Sequence, residues 1–151
     1  MEEREKYYIV NTPRPLKYTH YRLPLDVRRS MAWMDSSIVP GARNMECIWY
    51  YKPLEGPAQH VHDDTDEVLG FFGTNQDDPT KLGGVIEFEI EDETITITES
   101  CLLFFPKGTK HCPFHVTKVD TPIFHFSMTL DRYYAKAMAP ADDAQAEEEK
   151  K

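Results

Sequence analysis

The 151-residue chain is expected to fold as one all-β barrel or sandwich. Two patterns carry that expectation. Short runs of β-branched and aromatic residues recur between turn signals at intervals of about 8 to 12 residues, the spacing of a barrel or sandwich. The segment Val85-Ile86-Glu87-Phe88-Glu89-Ile90-Glu91 puts Ile86, Phe88 and Ile90 on one face and three glutamates on the other. That is the alternation of a strand with one buried side. The length suits a single domain, and nothing in the sequence repeats.

Taken in order, residues 1–29 read as an arm. Tyr7-Tyr8-Ile9-Val10 is too apolar for a free tail, while Pro13, Pro15 and Pro24 discourage helix and central strand. The arm is expected to pack on the barrel or on a second subunit. The barrel then spans 30–130. Met31 to Met34 is a short first strand, followed by turns at Asp35-Ser36-Ser37 and Pro40-Gly41. Asn44 to Lys52, with Ile48, Trp49, Tyr50 and Tyr51, is the second strand. Pro53 to Gly56 reads as a turn, Val68 to Phe72 as a strand ended by Gly73, and Thr74 to Gly84 as a polar loop. Val85 to Glu91 and Thr94 to Thr98 form a hairpin about Asp92-Glu93. Leu102 to Phe105 reads as a buried strand running into a turn at Pro106-Lys107-Gly108. His111 to Val116 is a strand in which Pro113 marks an edge or a bulge. Asp120-Thr121-Pro122 turns into the last strand, Ile123 to Met128. Asp131 is placed to cap a short helix over 131–139, stopped by Pro140, and 140–151 reads as a disordered acidic tail.

The formal net charge is −9, and the body stays acidic without its tail. That disfavours nucleic acid and anionic membrane as partners. No apolar run approaches the roughly 18 residues of a membrane span. The charged start, Met1 to Lys6, does not read as a signal peptide. Cys47, Cys101 and Cys112 make an odd count without secretory context, so they are read as reduced thiols of a cytoplasmic protein.

The chemistry concentrates in two blocks. In the first, His60 and His62 lie two apart, and Glu67 follows an acidic bend of Asp63, Asp64 and Asp66. In extended chain both imidazoles point to the same side and can pinch one ion; on a helix they would diverge. The bend can bring Glu67 back to them. In the second block a strand ends at Pro106-x-Gly108, and His111 opens the next strand. Such a turn reverses the chain and can set His111 beside the first block.

These blocks resemble the two motifs of the cupins. His60, His62, Glu67 and Gly73 stand in the first, and Pro106, Gly108 and His111 in the second, with His115 where asparagine is usual. Two motif glycines are replaced, by Leu54 and by Ser100. The resemblance covers about residues 30 to 130 and implies a small jelly-roll barrel in which His60, His62, Glu67 and His111 hold one divalent transition metal. Three imidazoles and a carboxylate suit Fe, Mn, Ni, Cu or Zn. By analogy with the family the protein is expected to be a homodimer.

Around this set, His115 shares strand parity with His111 and is the candidate proton-transfer group. Tyr51, Phe71, Phe104, His125 and Phe126 are candidate pocket residues for a small-molecule ligand. Cys112 follows a ligand directly, so alternation aims it away from the metal as a buried thiol. The implied function is a metal-dependent enzyme acting on a small oxygenated metabolite, of the dioxygenase, isomerase or decarboxylase kind. The alternatives are a non-catalytic metal or small-ligand module, acting as sensor or carrier, and a β-protein with a degenerate site.

Overall fold

Alternation along the strands sorts side chains onto two faces, and two antiparallel sheets meet on their apolar sides. The structure is a computed structural model and describes residues 5–19 and 22–134. Among the described residues nine strands follow one short 3-10 turn, Leu16–Tyr18. They are β1 (Arg28–Met34), β2 (Met45–Tyr50), β3 (Leu54–Glu55), β4 (Glu67–Phe72), β5 (Lys81–Ile90), β6 (Glu93–Glu99), β7 (Cys101–Phe105), β8 (His111–Val119) and β9 (Ile123–Thr129). One sheet has the order β1-β2-β9-β4-β7 and the other β3-β8-β5-β6. Among the described residues no helix is long and apolar enough to cross a membrane.

The inward positions follow the period of two. Ile48 and Tyr50 on β2, Leu69 and Phe71 on β4 and Ile123 on β9 face Ile86 and Phe88 on β5 and Phe114 and Val116 on β8, all buried. Each such side chain contributes roughly 1.5–3 kcal/mol of burial free energy. The arm lies along β1: Trp33 N donates to Thr12 O at 3.0 Å, and the Tyr18 and Trp33 rings are 6.0 Å apart.

Several expectations need correction. β1 starts at Arg28 instead of Met31, and the expected turn at Pro53 to Gly56 contains β3, which pairs with β8. The expected loop from Thr74 ends early, because β5 begins at Lys81. Gly83 and Gly84 sit inside β5 where its register with β6 slips, and Gly83 has φ 71°, a conformation glycine adopts without strain. β7 is not buried on both sides: Leu102 and Phe104 are exposed. The hairpin turns at Glu91 and Asp92, one residue earlier than expected. Of the expected helix over 131–139 only residues 131–134 are described, and of these Tyr134 alone is helical; the rest, and the tail 140–151, lie outside the described residues.

Pro113 lies in β8, an interior strand between β3 and β5, so it marks a bulge and not an edge. Phe88 pairs with Phe114 and Ile90 with His111, so β8 carries one extra residue there. Pro113 has no N–H to give a ladder, and a bulge is where that is tolerated. Cys112 takes φ 69° in the same bulge. The extra residue reverses strand parity between His111 and the residues after it.

Candidate metal centre and its cavity

The bulge sets His111 at the inner end of β8, and the extended segment before the acidic bend sets His60 opposite it. The two residues exchange both backbone hydrogen bonds, His60 N to His111 O at 3.0 Å and His111 N to His60 O at 3.1 Å. His62 O accepts from Gly108 N at 2.6 Å, which ties the Pro-x-Gly turn to the same segment. Lys107 N donates to Asp66 Oδ1 at 2.8 Å, and Thr65 Oγ1 accepts from Leu130 N at 3.0 Å. The acidic bend is thereby pinned at both ends, and Glu67 opens β4 facing inward.

The outcome is one cluster. Ligand-capable atoms of His60, His62, Glu67 and His111 all lie within 4.8 Å of one another. The tautomers of two rings are set by their other nitrogens. Nδ1 of His60 donates to Ala58 O at 2.8 Å, and Nδ1 of His111 donates to Thr109 O at 2.9 Å. A carbonyl only accepts, so each Nδ1 carries the proton and each Nε2 presents a lone pair. Phe105 stacks on the His111 ring at 4.4 Å and fixes its plane. Glu67 Oε2 is 2.7 Å from His62 Nε2, and Glu67 Oε1 is 3.5 Å from His111 Nε2.

The donor set fits a cation. Nε2 of all three histidines and Oε2 of Glu67 are buried without a hydrogen-bond partner. The short His62–Glu67 contact lacks the alignment of a hydrogen bond. Converging buried ring nitrogens and a carboxylate oxygen without hydrogen-bond partners are costly unless a positive charge sits among them. Burial alone would raise the Glu67 carboxyl, but His111 and His62 beside it outweigh that and hold it at about 2. Burial opposes charge on His62, yet Glu67 raises that ring's pKa, whereas burial lowers that of His60. Glu67 is thus an ionised ligand at neutral pH, and three imidazoles with one carboxylate suit first-row transition metals.

His60 also lines a cavity of about 650 Å³ between the sheets, within the range of small-molecule sites. Its apolar floor is Ile48, Leu69 and Phe114, with Tyr50 and His125 beside them. Nδ1 of His125 donates to Gly70 O at 2.8 Å, and the ring stacks on Phe71 at 4.4 Å. Burial pushes the His125 imidazole down to about 4, so it is neutral at physiological pH.

The other sequence candidates fall elsewhere. His115 does not join the cluster: Phe114 and Val116 beside it are buried core, so it points to the outer face, opposite Glu55 and Glu87. The bulge between it and His111 broke the parity that would have aligned them. Tyr51 lies past the end of β2 and stacks on Trp49 at 6.5 Å, while its neighbour Tyr50 lines the cavity. Phe71 is fully buried behind His125 and does not line the cavity. Phe104 is 61% exposed on the outer face of β7. Phe126 is also turned outward, stacked 6.2 Å from Phe72. Of the five pocket candidates only His125 reaches the cavity. Cys112 is a buried thiol of the core, and its burial raises its pKa far above the usual range.

No family model matches the chain, and no curated protein does. Solved structures do. A protein with a double-stranded β-helix domain from Klebsiella pneumoniae is 10% identical and superposes over 76% of this chain and 80% of its own, with a TM-score of 0.50. A sugar phosphate isomerase from the cupin superfamily, from Silicibacter pomeroyi, is 16% identical over 75% of this chain and 68% of its own, at 0.49. A cupin protein from Bacteroides fragilis is 17% identical over 77% of this chain and 86% of its own, at 0.44. The chain has a double-stranded β-helix fold.

In this chain the two replaced motif glycines have local substitutes. Leu54 is core in β3, and Gly56, two residues on, makes the close approach: its N donates to Phe114 O at 2.7 Å, and a Cβ there would lie 2.9 Å from that carbonyl and ring. Ser100 holds its turn by side chain, donating to Pro79 O and accepting from Gly73 N, each at 2.8 Å.

Sequence reasoning missed the polar wall of the cavity. Arg14 of the arm, Arg28 of β1 and Glu46 of β2 meet there, with Tyr134 alongside. The Tyr134 ring is 5.3 Å from that of His62, and burial raises its hydroxyl's pKa. One signal was available: Glu46 is in phase with Ile48 and Tyr50, so an acid falls on the buried face of an apolar strand.

Proposed function

We propose that this protein is a cupin and a metal-dependent enzyme acting on a small oxygenated metabolite, of the dioxygenase, isomerase or decarboxylase kind. One observation carries the reading: His60, one of the four clustered residues, also lines a cavity beside the cluster. A structural metal site is closed on all sides, whereas a catalytic one keeps access for a reactant. His60, His62, Glu67 and His111 would hold the ion, which supplies Lewis-acid chemistry to a substrate oxygen. The chain's own part is to fix the ligand tautomers through Ala58 O and Thr109 O and to offer the reactant the apolar side chains of Ile48, Leu69 and Phe114. The test is turnover of a panel of hydroxy acids, oxo acids and sugars by metal-loaded protein, with chelator-treated protein as control. Loss of substrate that depends on the metal supports the proposal; a loaded protein inert to the whole panel counts against it.

A second reading, a non-catalytic binding module, is favoured by one feature. His125 is pushed to about 4 and His115 faces outward, so neither supplies a base near neutrality inside the cavity. Saturable binding of a ligand recovered unchanged distinguishes this reading from the first.

A second copy of the chain is the partner we propose. The outward positions of β4, β9 and β7 are Val68, Gly70, Phe72, Phe124, Phe126, Met128, Leu102 and Phe104, with no charge among them. A continuous apolar face of this kind on an otherwise acidic protein matches a self-associating surface.

A further inference from the structure

Three arginines, Arg14, Arg22 and Arg28, line the cavity against two acids, Glu46 and Glu55, in a chain whose net charge is −9. Arg14 and Arg28 both reach one oxygen of Glu46, at 3.2 and 3.5 Å, and Ser30 Oγ donates to its other oxygen at 2.8 Å. The side chains are nearly withdrawn from solvent: 8% of Arg14, 10% of Arg28 and 4% of Glu46 remain exposed. Two guanidiniums therefore reach the same carboxylate, and Arg22 and Glu55 line the cavity as well. Nε of Arg14 is buried with no hydrogen-bond partner among the described residues. A guanidinium offers five N–H donors in a fixed fork. Glu46 meets only part of what Arg14 presents, and an unmet donor at a buried charge costs free energy that an incoming acceptor recovers.

We infer that this wall is an oxyanion subsite: the cavity takes a substrate bearing a carboxylate or a phosphate group, which Arg14 and Arg28 bind. The substrate's apolar or neutral part lies over Ile48, Leu69 and Phe114, and its other end reaches the ligand cluster at His60. The inference rests on the metal-enzyme reading for what the substrate is presented to, but the anion subsite is built from other residues and is tested apart from it. A purely structural role for Arg14, tethering the arm to Glu46 and Ser30, is the competing account.

The experiment is calorimetric titration of the full chain with inorganic phosphate, succinate and, as neutral control, glycerol, with metal content measured on the same samples. Wild type is expected to bind phosphate or succinate saturably and glycerol not at all; which anion binds more tightly separates a phosphate from a carboxylate substrate. Arg14→Gln is expected to weaken that binding about tenfold or more. Arg14→Lys keeps the charge facing Glu46, guards against simple loss of fold, and is expected to restore part of the affinity, since a point charge lacks the fork. His111→Ala is expected to lose metal and keep phosphate binding. No saturable anion binding by wild type, or anion binding unchanged in a folded Arg14→Gln protein, overturns the subsite. Anion binding through Arg14 by a wild-type protein that holds no metal upholds the subsite and removes the metal reading instead.

Discussion

His60 and His111 face each other across a two-way backbone bridge, with N–O distances of 3.0 and 3.1 Å, and their Nδ1 atoms each donate to a carbonyl two residues back in the chain. The same local device, repeated on two distant segments, delivers two Nε2 lone pairs to one point. The site is therefore set by backbone geometry before any ion arrives, and removing one ring should leave the bridge in place.

It follows that His111→Ala should fold but lose metal-dependent stability. A ligand bound only by the folded state stabilises it by mass action, about 2.7 kcal/mol at one hundred times its dissociation constant. Thermal melts with added Zn or Mn should shift wild type upward and leave His111→Ala unmoved. An equal upward shift in both proteins places the ion elsewhere.

Glu46 should matter to stability more than a surface acid. Glu46→Gln removes the carboxylate that Arg14 and Arg28 share in a nearly buried setting. Removing one member of a buried ion pair costs about 3–5 kcal/mol, because the remaining charge is left uncompensated. Urea denaturation of the two proteins measures this; a difference within the scatter of surface substitutions contradicts the assigned burial.

His125 gives a pH dependence of defined sign. Its ordinary pKa of 6.5 applies in the unfolded chain, while burial lowers it to about 4 in the folded one. The unfolded state therefore takes up a proton first, so this stability is full above pH 6.5 and is lost as pH falls to about 4. The loss amounts to roughly 3 kcal/mol. His125→Phe keeps the stack on Phe71 and has no proton to gain, so its stability should fall less over that window. Parallel acid slopes for wild type and variant would show that His125 is not held neutral.

The outer face of the larger sheet predicts self-association. Leu102 and Phe104 are 63% and 61% exposed beside Val68, Phe72 and Phe126. Light scattering should find a dimer, and Phe104→Glu should shift it to monomer with the melting temperature of the monomer preserved. A monomeric wild type would leave that face without the proposed partner.

The legibility of the site followed the range of the interactions involved. His60, His62, Glu67 and His111 could be read because extended chain and a Pro-x-Gly turn are local properties that place ligands at fixed spacing. His115 could not, since its direction depends on one extra residue in β8 at the Cys112–Pro113 bulge, and parity carried across a bulge reverses. Phe104 and Phe105 have equal strand propensity, and only the opposing sheet decides that Phe105 turns inward onto His111. Arg14 was hidden more deeply: it belongs to the arm, whose position on β1 is a tertiary fact with no periodicity behind it. Of the fold, the two-sheet β architecture was legible from alternation, whereas β3, two residues long, had no sequence signal to distinguish it from a turn.

Elemental analysis of purified protein addresses the central claim most directly. The account predicts about one transition-metal ion per chain in wild type, removed by chelator, and none in His111→Ala or Glu67→Gln, since each lacks one of the four ligands at the cluster. A wild-type protein free of metal that also fails to take up Fe, Mn, Ni, Cu or Zn on dialysis, or a metal content unchanged by both substitutions, would contradict it.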